Sequence, residues 1–315
     1  MYKAFVIGCG NIGALYDLNN DQIQTHCKAL YLDKRFSLSV FDTNKVLVRK
    51  IANKYQAEII ENIDEKVLGS FDCVSICSPT STHYSLLKSA IGAGVKLIIC
   101  EKPVSYNAKE LVELKKLYKA SRSKVIVNYI RRFQPAFAIL KKRVSELLKK
   151  EELTNIAIRY QRGIVHNCSH AFDTIEYLTG VKMILTKEQL HNKVTDHFDN
   201  DPTLSLQALW GKTNVNIMGL SNVKFSHFEI ELYFEYHRVA ITNSGRTIEV
   251  YGAKKNKQYL QPLSIEKEIS RDGGMNNYMK YVIDHAYGIL SGKIKEDNFM
   301  GSVELNERML RYIKK

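Results

Sequence analysis

Three glycines directly after the first apolar segment restrict the fold of this chain more than any other feature. Gly8, Gly10 and Gly13 stand in "VIGCGNIG", a G-x-G-x-x-G spacing that follows the apolar run "KAFVI". The first glycine permits a tight turn, the second lets a pyrophosphate approach the backbone, and the third allows close packing of the next segment. We therefore predict a dinucleotide-binding turn, with Asn11 and Ile12 between the last two glycines as further contacts.

The next hundred residues alternate between strand-like and helix-like patterns. Runs such as "FSLSVF", "CVSIC" and "KLIIC" are almost continuously apolar, whereas the stretches between them carry apolar residues at helical spacing. Such alternation predicts a parallel sheet that helices cover on both faces. One helix should begin with a capping box formed by Asn107 and Glu110.

The pattern becomes antiparallel in character after about residue 130. A hairpin is predicted around Gly211-Lys212, and residues 225–252 predict consecutive strands with turns near His237 and Ser244-Gly245. Helix-like segments at 276–292 and 302–315 follow. A chain of 315 residues suits two domains, which we place at 1–127 for dinucleotide binding and 128–315 for substrate binding and oligomerisation.

Composition and charge restrict the compartment and the partners. The formal net charge is +13, but the basic residues are dispersed, which argues against nucleic-acid binding. No apolar run approaches the roughly 18 to 20 residues that span a bilayer, so no membrane association is predicted. The six cysteines lack paired spacing, which favours a reducing cytoplasm over a disulfide framework.

An acidic residue at the end of the second strand predicts the cofactor. Asp42 ends "SVFD", further along the chain than is usual because "LYDLNNDQIQ" lengthens the turn region. Its carboxylate would accept hydrogen bonds from the adenosine ribose and repel a 2′-phosphate, so we predict NAD in preference to NADP. The alternative is that Asp42 is a turn residue only.

The segment "HNCSHAFD", residues 166–173, admits a metal site, a packed core or acid–base chemistry. His166 and His170 have the spacing of a zinc pair on a helix, with Cys168 or Asp173 as a third ligand. No glutamate stands as in H-E-x-x-H, so we predict no metal. Imidazole, with its ordinary pKa of about 6.5, suits proton transfer instead.

Taken together, the motifs resemble those of the Gfo/Idh/MocA oxidoreductases, named for glucose–fructose oxidoreductase and inositol dehydrogenase. The motifs that carry the resemblance are "GCGNIG", "THCKAL" with His26, "CSPTSTH" (77–83), "CEKP" (100–103), "NYIRRFQP" (128–135) and "HNCSHAFD". The resemblance implies an α/β protein: a Rossmann domain, then an α/β domain with an open, mainly antiparallel sheet. It also implies a homodimer or homotetramer and the oxidation of a sugar or cyclitol hydroxyl, or reduction of the ketone, with NAD(P).

The resemblance also implies roles for individual residues. Lys102 would hydrogen-bond the reacting oxygen, and its peptide bond to Pro103 would be cis. His170 would transfer the hydroxyl proton or contact the substrate. Asp173, on the same helix face, would orient the site or bind a hydroxyl, unless it only packs the helix. Further cofactor contacts are expected from Ser78, Pro79, Thr80, His83 and Glu101.

His166 departs from the family, in which an aspartate stands four residues before the histidine. Either His170 works without that partner, or His166 takes another role, such as contacting an anionic substrate. Arginine forks suit phosphate or carboxylate, although each arginine could instead form a surface or interdomain salt bridge. The remaining predicted substrate contacts are Arg132, Tyr160, Arg162 and Asn167.

The sequence therefore predicts an NAD-dependent sugar dehydrogenase whose substrate hydroxyl lies between Lys102, His170 and the nicotinamide. The positive charge makes a nucleotide sugar or another anionic sugar a reasonable substrate. A non-catalytic NAD-binding sensor on the same fold is the alternative, supported by the departure at His166. A zinc hydrolase is a third interpretation, which would require bound metal.

Overall fold

A computed structural model describes residues 1–256, 259–271 and 274–314. Within these residues the N-terminal part forms a six-stranded sheet in the order β3-β2-β1-β4-β5-β6, with every neighbouring pair parallel. The strands are β1 (Tyr2–Ile7), β2 (Phe36–Phe41), β3 (Glu58–Ile59), β4 (Cys73–Ile76), β5 (Leu97–Cys100) and β6 (Lys124–Val127). The helices are α1 (His26–Leu32), α2 (Lys45–Tyr55), α3 (Glu65–Gly69), α4 (Thr80–Gly92) and α5 (Ala108–Ala120).

The predicted parallel sheet is confirmed, and its apolar runs are buried as expected. Every residue of β4 and of β5 is buried, as a strand covered on both faces must be. The chain passes from β3 at one edge to β4 on the far side of β1, so the strand order reverses between β1 and β4. Open α/β sheets bind ligands at the carboxyl ends of the strands at such a reversal.

The predicted capping box at α5 forms only in part. The Asn107 side chain accepts a hydrogen bond from the Lys109 amide at 3.0 Å, so it does cap the helix. Glu110 does not accept from the Asn107 amide, because the Ser105 hydroxyl bonds to both groups instead. That hydroxyl donates to the Glu110 carboxylate at 2.5 Å and accepts from the Asn107 amide at 2.9 Å.

The second sheet, as far as the described residues show, has eight strands in the order β14-β13-β12-β11-β7-β10-β9-β8. Its strands are β7 (Leu153–Tyr160), β8 (Thr186–Val194), β9 (Thr203–Trp210), β10 (Thr213–Gly219), β11 (Glu229–Phe234), β12 (His237–Thr242), β13 (Thr247–Gly252) and β14 (Ser264–Ser270). Only β7 and β10 pair in parallel, so the sheet is mainly antiparallel, as predicted. The helices α6 (Pro135–Leu148) and α7 (Ser169–Thr179) belong to the same part of the chain.

Two helices near the end of the chain, α8 (Tyr278–Leu290) and α9 (Phe299–Lys314), belong largely with the first sheet. The first compact unit comprises Met1–Ile130 and Asn276–Leu310, and the second comprises Arg131–Met275 and the residues from Arg311. The sequence division placed 276–310 in the second domain. These residues join the first unit because α8 packs against α1 and β5, while Asn306 of α9 accepts from the Val104 amide at 2.9 Å. Lys315, the end of the predicted helical segment, lies outside the described residues.

No helix in the described part of the chain is both long and apolar enough to cross a membrane.

Candidate active site

The glycine turn follows β1 and packs against the residues that follow β4. Gly8 has a φ of +98°, and a Cβ atom on it would lie 2.7 Å from the Ser78 amide nitrogen. A Cβ on Gly13 would lie 2.0 Å from the Gly8 carbonyl oxygen, so both positions require glycine. A Cβ on Gly10 would instead meet no atom within 4 Å. The turn is therefore closely packed at Gly8 and Gly13 and open at Gly10, an arrangement that fits the approach of a pyrophosphate.

The segment after this turn is shorter than a standard helix. Asn11–Leu15 forms one π-helical turn, and α1 begins only at His26. Between them the buried Asp17 carboxylate accepts hydrogen bonds from the Gln24 amide at 2.6 Å and the Thr25 amide at 2.8 Å. In dinucleotide-binding turns, the amides at the start of the following helix commonly face the phosphates. In this chain only the short turn Asn11–Leu15 occupies that position, so the backbone of the turn itself offers the amides that could face a phosphate.

Asp42 supports the glycine turn from the end of β2. Its Oδ2 accepts a hydrogen bond from the Cys9 amide at 2.7 Å, and its Oδ1 accepts from the Asn44 amide at 2.8 Å. The residue is only partly buried, and a carboxylate has further lone pairs on both oxygens. Asp42 thus holds the turn and retains the capacity to accept from a ribose hydroxyl.

The loop after β4 is tied to the loop after β5 by a buried histidine. His83 is 1% exposed, and its two ring nitrogens lie 2.8 Å from the carbonyl oxygens of Ser78 and Pro103. The Ser78 hydroxyl pairs with Thr82 at 2.6 Å, and α4 begins at Thr80, directly after Pro79. His83 was predicted as a cofactor contact, but its burial fits a residue that positions both loops.

A buried network fixes Glu101, the residue before Lys102. Glu101 Oε1 lies 2.9 Å from His26 Nε2 and accepts from Asn128 Nδ2 at 2.5 Å. Burial alone would raise the pKa of Glu101, but hydrogen bonds from His26 and Asn128 and the charge of Lys102 lower the pKa below its usual value. Lys102 is itself half-buried at the carboxyl end of β5, and its peptide bond to Pro103 is cis.

In the second unit, His166 is paired with a carboxylate that the sequence did not indicate. His166 lies in the π-helical turn Ile164–Cys168, and its Nδ1 is 3.0 Å from Oδ2 of Asp201. Asp201 is fully buried and comes from the loop before β9. No motif marks it, because the partner stands in a loop 35 positions further along the chain.

His170 and Asp173 lie in the first turns of α7 but have different surroundings. His170 is half-buried, and its ring meets Phe228 edge-on at 6.4 Å. Asp173 is 1% exposed, and its Oδ1 accepts from Arg132 Nε at 2.6 Å. Burial raises the pKa of Asp173 to about 6, although Arg132 opposes the rise. Asp173 therefore binds Arg132, which suggests that both residues shape the site instead of reacting.

The other predicted substrate contacts differ in how deeply they are buried. Tyr160 is fully buried, and its hydroxyl is held by the backbone oxygen and amide of Leu204, both at 2.9 Å, so it fits a core residue better than the predicted substrate contact. Asn167 is half-buried and donates to the Gln161 carbonyl oxygen at 2.7 Å. Arg162 is exposed, with its guanidinium 5.9 Å from the centre of the Phe198 ring.

No group of three or more His, Cys, Asp and Glu side chains among the described residues could hold a metal ion. Cys168, a candidate ligand by sequence, is fully buried, and burial raises the pKa of its thiol well above the usual value. His166 is hydrogen-bonded to Asp201. The "HNCSHAFD" segment therefore offers acid–base groups and an ion pair.

Comparisons with known proteins agree with this arrangement. Residues 2–129 match the model of the GFO_IDH_MocA oxidoreductase family, described as an NAD-binding Rossmann fold. An inositol 2-dehydrogenase of Rhizobium meliloti is 27% identical over 253 residues, which cover 74% of this chain and 72% of the relative. A putative myo-inositol dehydrogenase structure from Sinorhizobium meliloti covers 100% of this chain and 95% of its own, with a TM-score of 0.71 at 20% identity.

A second solved structure has the same fold. It is the UDP-N-acetylglucosamine 3-dehydrogenase of Acidithiobacillus ferrooxidans, with a TM-score of 0.72 at 17% identity, covering 99% of this chain and 95% of its own. At such identities the structures show the fold alone. The family model, the aligned relatives and the glycine-turn geometry agree on one conclusion: residues 2–129 form a Rossmann domain of the Gfo/Idh/MocA oxidoreductase type, in a chain that has the fold of these dehydrogenase structures.

Proposed function

We propose that the protein is an NAD-dependent dehydrogenase that oxidises a hydroxyl of a sugar or cyclitol, or reduces the corresponding ketone. The observation that carries the proposal is the position of Lys102. It follows β5 directly, at the same edge of the sheet as the glycine turn that follows β1, and the preceding Glu101 is fixed by His26 and Asn128. Relatives named inositol 2-dehydrogenase and UDP-N-acetylglucosamine 3-dehydrogenase support the substrate class.

The chain's own residues would hold the dinucleotide at the glycine turn and prepare the substrate hydroxyl. The open backbone at Gly10 would accept the pyrophosphate, and Asp42 would accept from the ribose. When bound, the nicotinamide supplies a hydride acceptor or donor. The Lys102 ammonium would hydrogen-bond the reacting oxygen, and His170 would exchange the hydroxyl proton or contact the substrate.

Substitution of Lys102 by alanine tests the proposal. Loss of a group that assists proton transfer should lower kcat roughly 10²- to 10⁴-fold, while NADH binding stays unchanged. Nicotinamide fluorescence can measure turnover against a panel of cyclitols, free sugars and nucleotide sugars. Lys109→Ala, at an exposed lysine of α5, is the matched control and should leave kcat unchanged. Near-full activity of the Lys102 variant would exclude the mechanism.

The same panel separates the dehydrogenase from a sensor. If NADH binds and no panel member is turned over, the non-catalytic sensor is favoured. Because Arg162 is exposed beside Phe198, we propose that an anionic part of the substrate binds there. A nucleotide sugar should then have a KM at least tenfold below that of its free sugar. Arg162→Gln should raise that KM and leave the KM of the free sugar unchanged.

The preference for NAD rests on Asp42. The wild-type protein should bind NADH more tightly than NADPH, because the carboxylate repels a 2′-phosphate. Asp42→Asn keeps an oxygen for the Cys9 amide and removes the charge. The substitution should therefore reduce the ratio of the NADPH dissociation constant to the NADH dissociation constant. We also propose a homodimer or homotetramer, for which the second sheet provides a face.

A further inference from the structure

We infer that Asp201 is a positioning residue that makes His166 a proton acceptor in the reaction, in addition to the residues assigned above. The inference rests on the proposed function. It concerns a carboxylate–imidazole pair in the second unit, in which one partner is buried and the other reaches the surface. The side chain of Asp201 is 0% exposed, whereas that of His166 is 22% exposed. A proton could therefore be exchanged at the imidazole but not at the carboxylate.

The hydrogen bond between the two residues determines which ring nitrogen carries the proton. His166 Nδ1 lies 3.0 Å from Asp201 Oδ2. An ionised carboxylate can only accept, so Nδ1 must be the donor. In the neutral imidazole the lone pair is then on Nε2, the tautomer that a base needs. A carboxylate behind an imidazole has the same orienting effect in catalytic triads.

The chain is built to hold this carboxylate in place. The amides of Val165 and His166 donate to Asp201 Oδ1 and Oδ2 at 2.8 and 2.7 Å. A Cβ atom on Gly163 would lie 2.2 Å from Asp201 Oδ2, so only glycine leaves room for it. Burying a carboxylate is costly unless donors compensate, and here two amides and one imidazole do so. The arrangement holds the Asp201 carboxyl group next to the ring.

An aromatic ring fixes the plane of the imidazole. The rings of Phe198 and His166 are stacked, with centroids 3.9 Å apart and planes at 11°. Phe198 and Asp201 belong to one turn, because the Asp201 amide donates to the Phe198 carbonyl oxygen at 3.2 Å. Contact from one side and a hydrogen bond at Nδ1 together restrict rotation of the ring. The direction of Nε2 is thereby set before a substrate binds.

In the proposed oxidation, the substrate O–H bond breaks and its proton moves to Nε2 of His166, which leaves His170 the second of its two proposed roles, contact with the substrate. The C–H bond on the same carbon breaks, and its hydrogen leaves with the electron pair as hydride to an oxidised nicotinamide, so the C–O bond becomes C=O. The resulting imidazolium is stabilised by the adjacent Asp201 carboxylate. In the reduction the proton returns from His166 to the oxygen.

Two substitutions and one matched control test the pair. His166→Asn keeps a donor for Asp201 but lacks a basic nitrogen that could take up a proton, and Asp201→Asn removes the charge. Each should lower kcat at least 10²-fold with less than a threefold change in KM and unchanged NADH binding. Asp196→Asn is the control: Asp196 is buried nearby but binds Thr203 at 2.8 Å and the Asn222 amide at 3.0 Å. It should keep kcat within about threefold.

A measurement without turnover distinguishes failure of the pair from failure of the dehydrogenase function. Nitrogen-15 NMR of the imidazoles should show His166 protonated at Nδ1 in the wild-type protein, with that tautomer lost in Asp201→Asn. Protonation at Nε2 in the wild type would overturn the inference, whatever the enzyme does. Turnover of a substrate with near-normal kcat in His166→Asn would also overturn it, while the dehydrogenase function would stand. Equal losses in the Asp201 and Asp196 variants would reduce Asp201 to a structural residue.

Discussion

Nε2 of His26 lies 2.9 Å from Oε1 of Glu101, a part-buried contact between the start of α1 and the residue that follows β5. Asn128, just after β6, donates to the same oxygen. Three separate segments therefore meet at the carboxylate that precedes Lys102. The network fixes the backbone from which that lysine projects.

Loss of the His26 contact should impair the reaction as well as the fold. His26→Ala leaves the largely buried Glu101 carboxylate, whose side chain is 12% exposed, with fewer donors, which should lower the free energy of unfolding by about 1–3 kcal/mol. Because Lys102 follows Glu101, kcat should also fall about tenfold or more. Ser75→Ala, which removes only the partner of His26 Nδ1, is the control and should affect kcat less. A loss of stability with normal kcat in His26→Ala would make the network purely structural.

The glycine turn allows binding and folding to be separated by two similar substitutions. Gly10→Ala adds a methyl group where no atom lies within 4 Å, so its melting temperature should be unchanged. The methyl group would occupy the space that a pyrophosphate needs, so NADH should bind at least tenfold more weakly. Gly13→Ala should instead lower the melting temperature, because its Cβ would lie 2.0 Å from a carbonyl oxygen. Fluorescence titration and thermal unfolding measure the two effects, and unchanged affinity in Gly10→Ala would place the dinucleotide elsewhere.

The raised pKa of Asp173 should make stability depend on pH. Its pKa is about 6 in the folded protein, against about 3.9 for an unperturbed aspartate, so the folded state holds the proton more tightly. Stability from this group is therefore greatest below about pH 4 and falls as the pH rises to about 6. Relative to Asp173→Asn, the wild-type protein should lose roughly 2–3 kcal/mol across this window. Urea unfolding at several pH values measures the difference, and parallel curves for the two proteins would contradict it.

The sequence predicts the first sheet well because its strands are buried on both faces and therefore read as apolar runs. β3 is missed because Glu58–Ile59 is too short to show a pattern. The helices near the end of the chain have apolar residues along one face, but this pattern does not predict which of the two sheets that face packs against. For that reason the sequence division placed 276–310 in the second domain, whereas in the structure these residues belong to the first compact unit.

The candidate site is predictable where motifs are local and hidden where partners are distant. Lys102 and His170 stand in contiguous motifs. Asp201 lies in a loop without periodicity, and only folding brings it to His166. Tyr160 shows a different limit of sequence-based prediction. Strand alternation places side chains on two faces of the sheet, but it does not say which face is buried, and Tyr160 lies on the buried face, where its hydroxyl bonds to the Leu204 backbone. Arg132 was predicted to contact substrate, and its partner in the structure is Asp173.

The second sheet has one buried face and one face that we propose another copy of the chain covers. On β10 the side chains alternate, with Val215 and Ile217 buried and Asn216 and Met218 exposed. Glu231 lies on the face that carries Asn216 and Met218, and it is only 4% exposed, although it is charged. It is paired with Arg159 at 3.0 Å and with Arg238.

If another copy covers that face, as we propose, a charge placed on it should dissociate the proposed oligomer. Met218→Glu introduces a carboxylate at a side chain that is 52% exposed, and burial of two such charges across a symmetric interface would be unfavourable. Light scattering after gel filtration should show a lower molar mass than for the wild type at the same concentration. Ile139→Glu, at a position on α6 that is 48% exposed, is the matched control and should leave the mass unchanged. If Met218→Glu retains the wild-type mass, any oligomer must use another surface; a monomeric wild type would remove the proposal altogether.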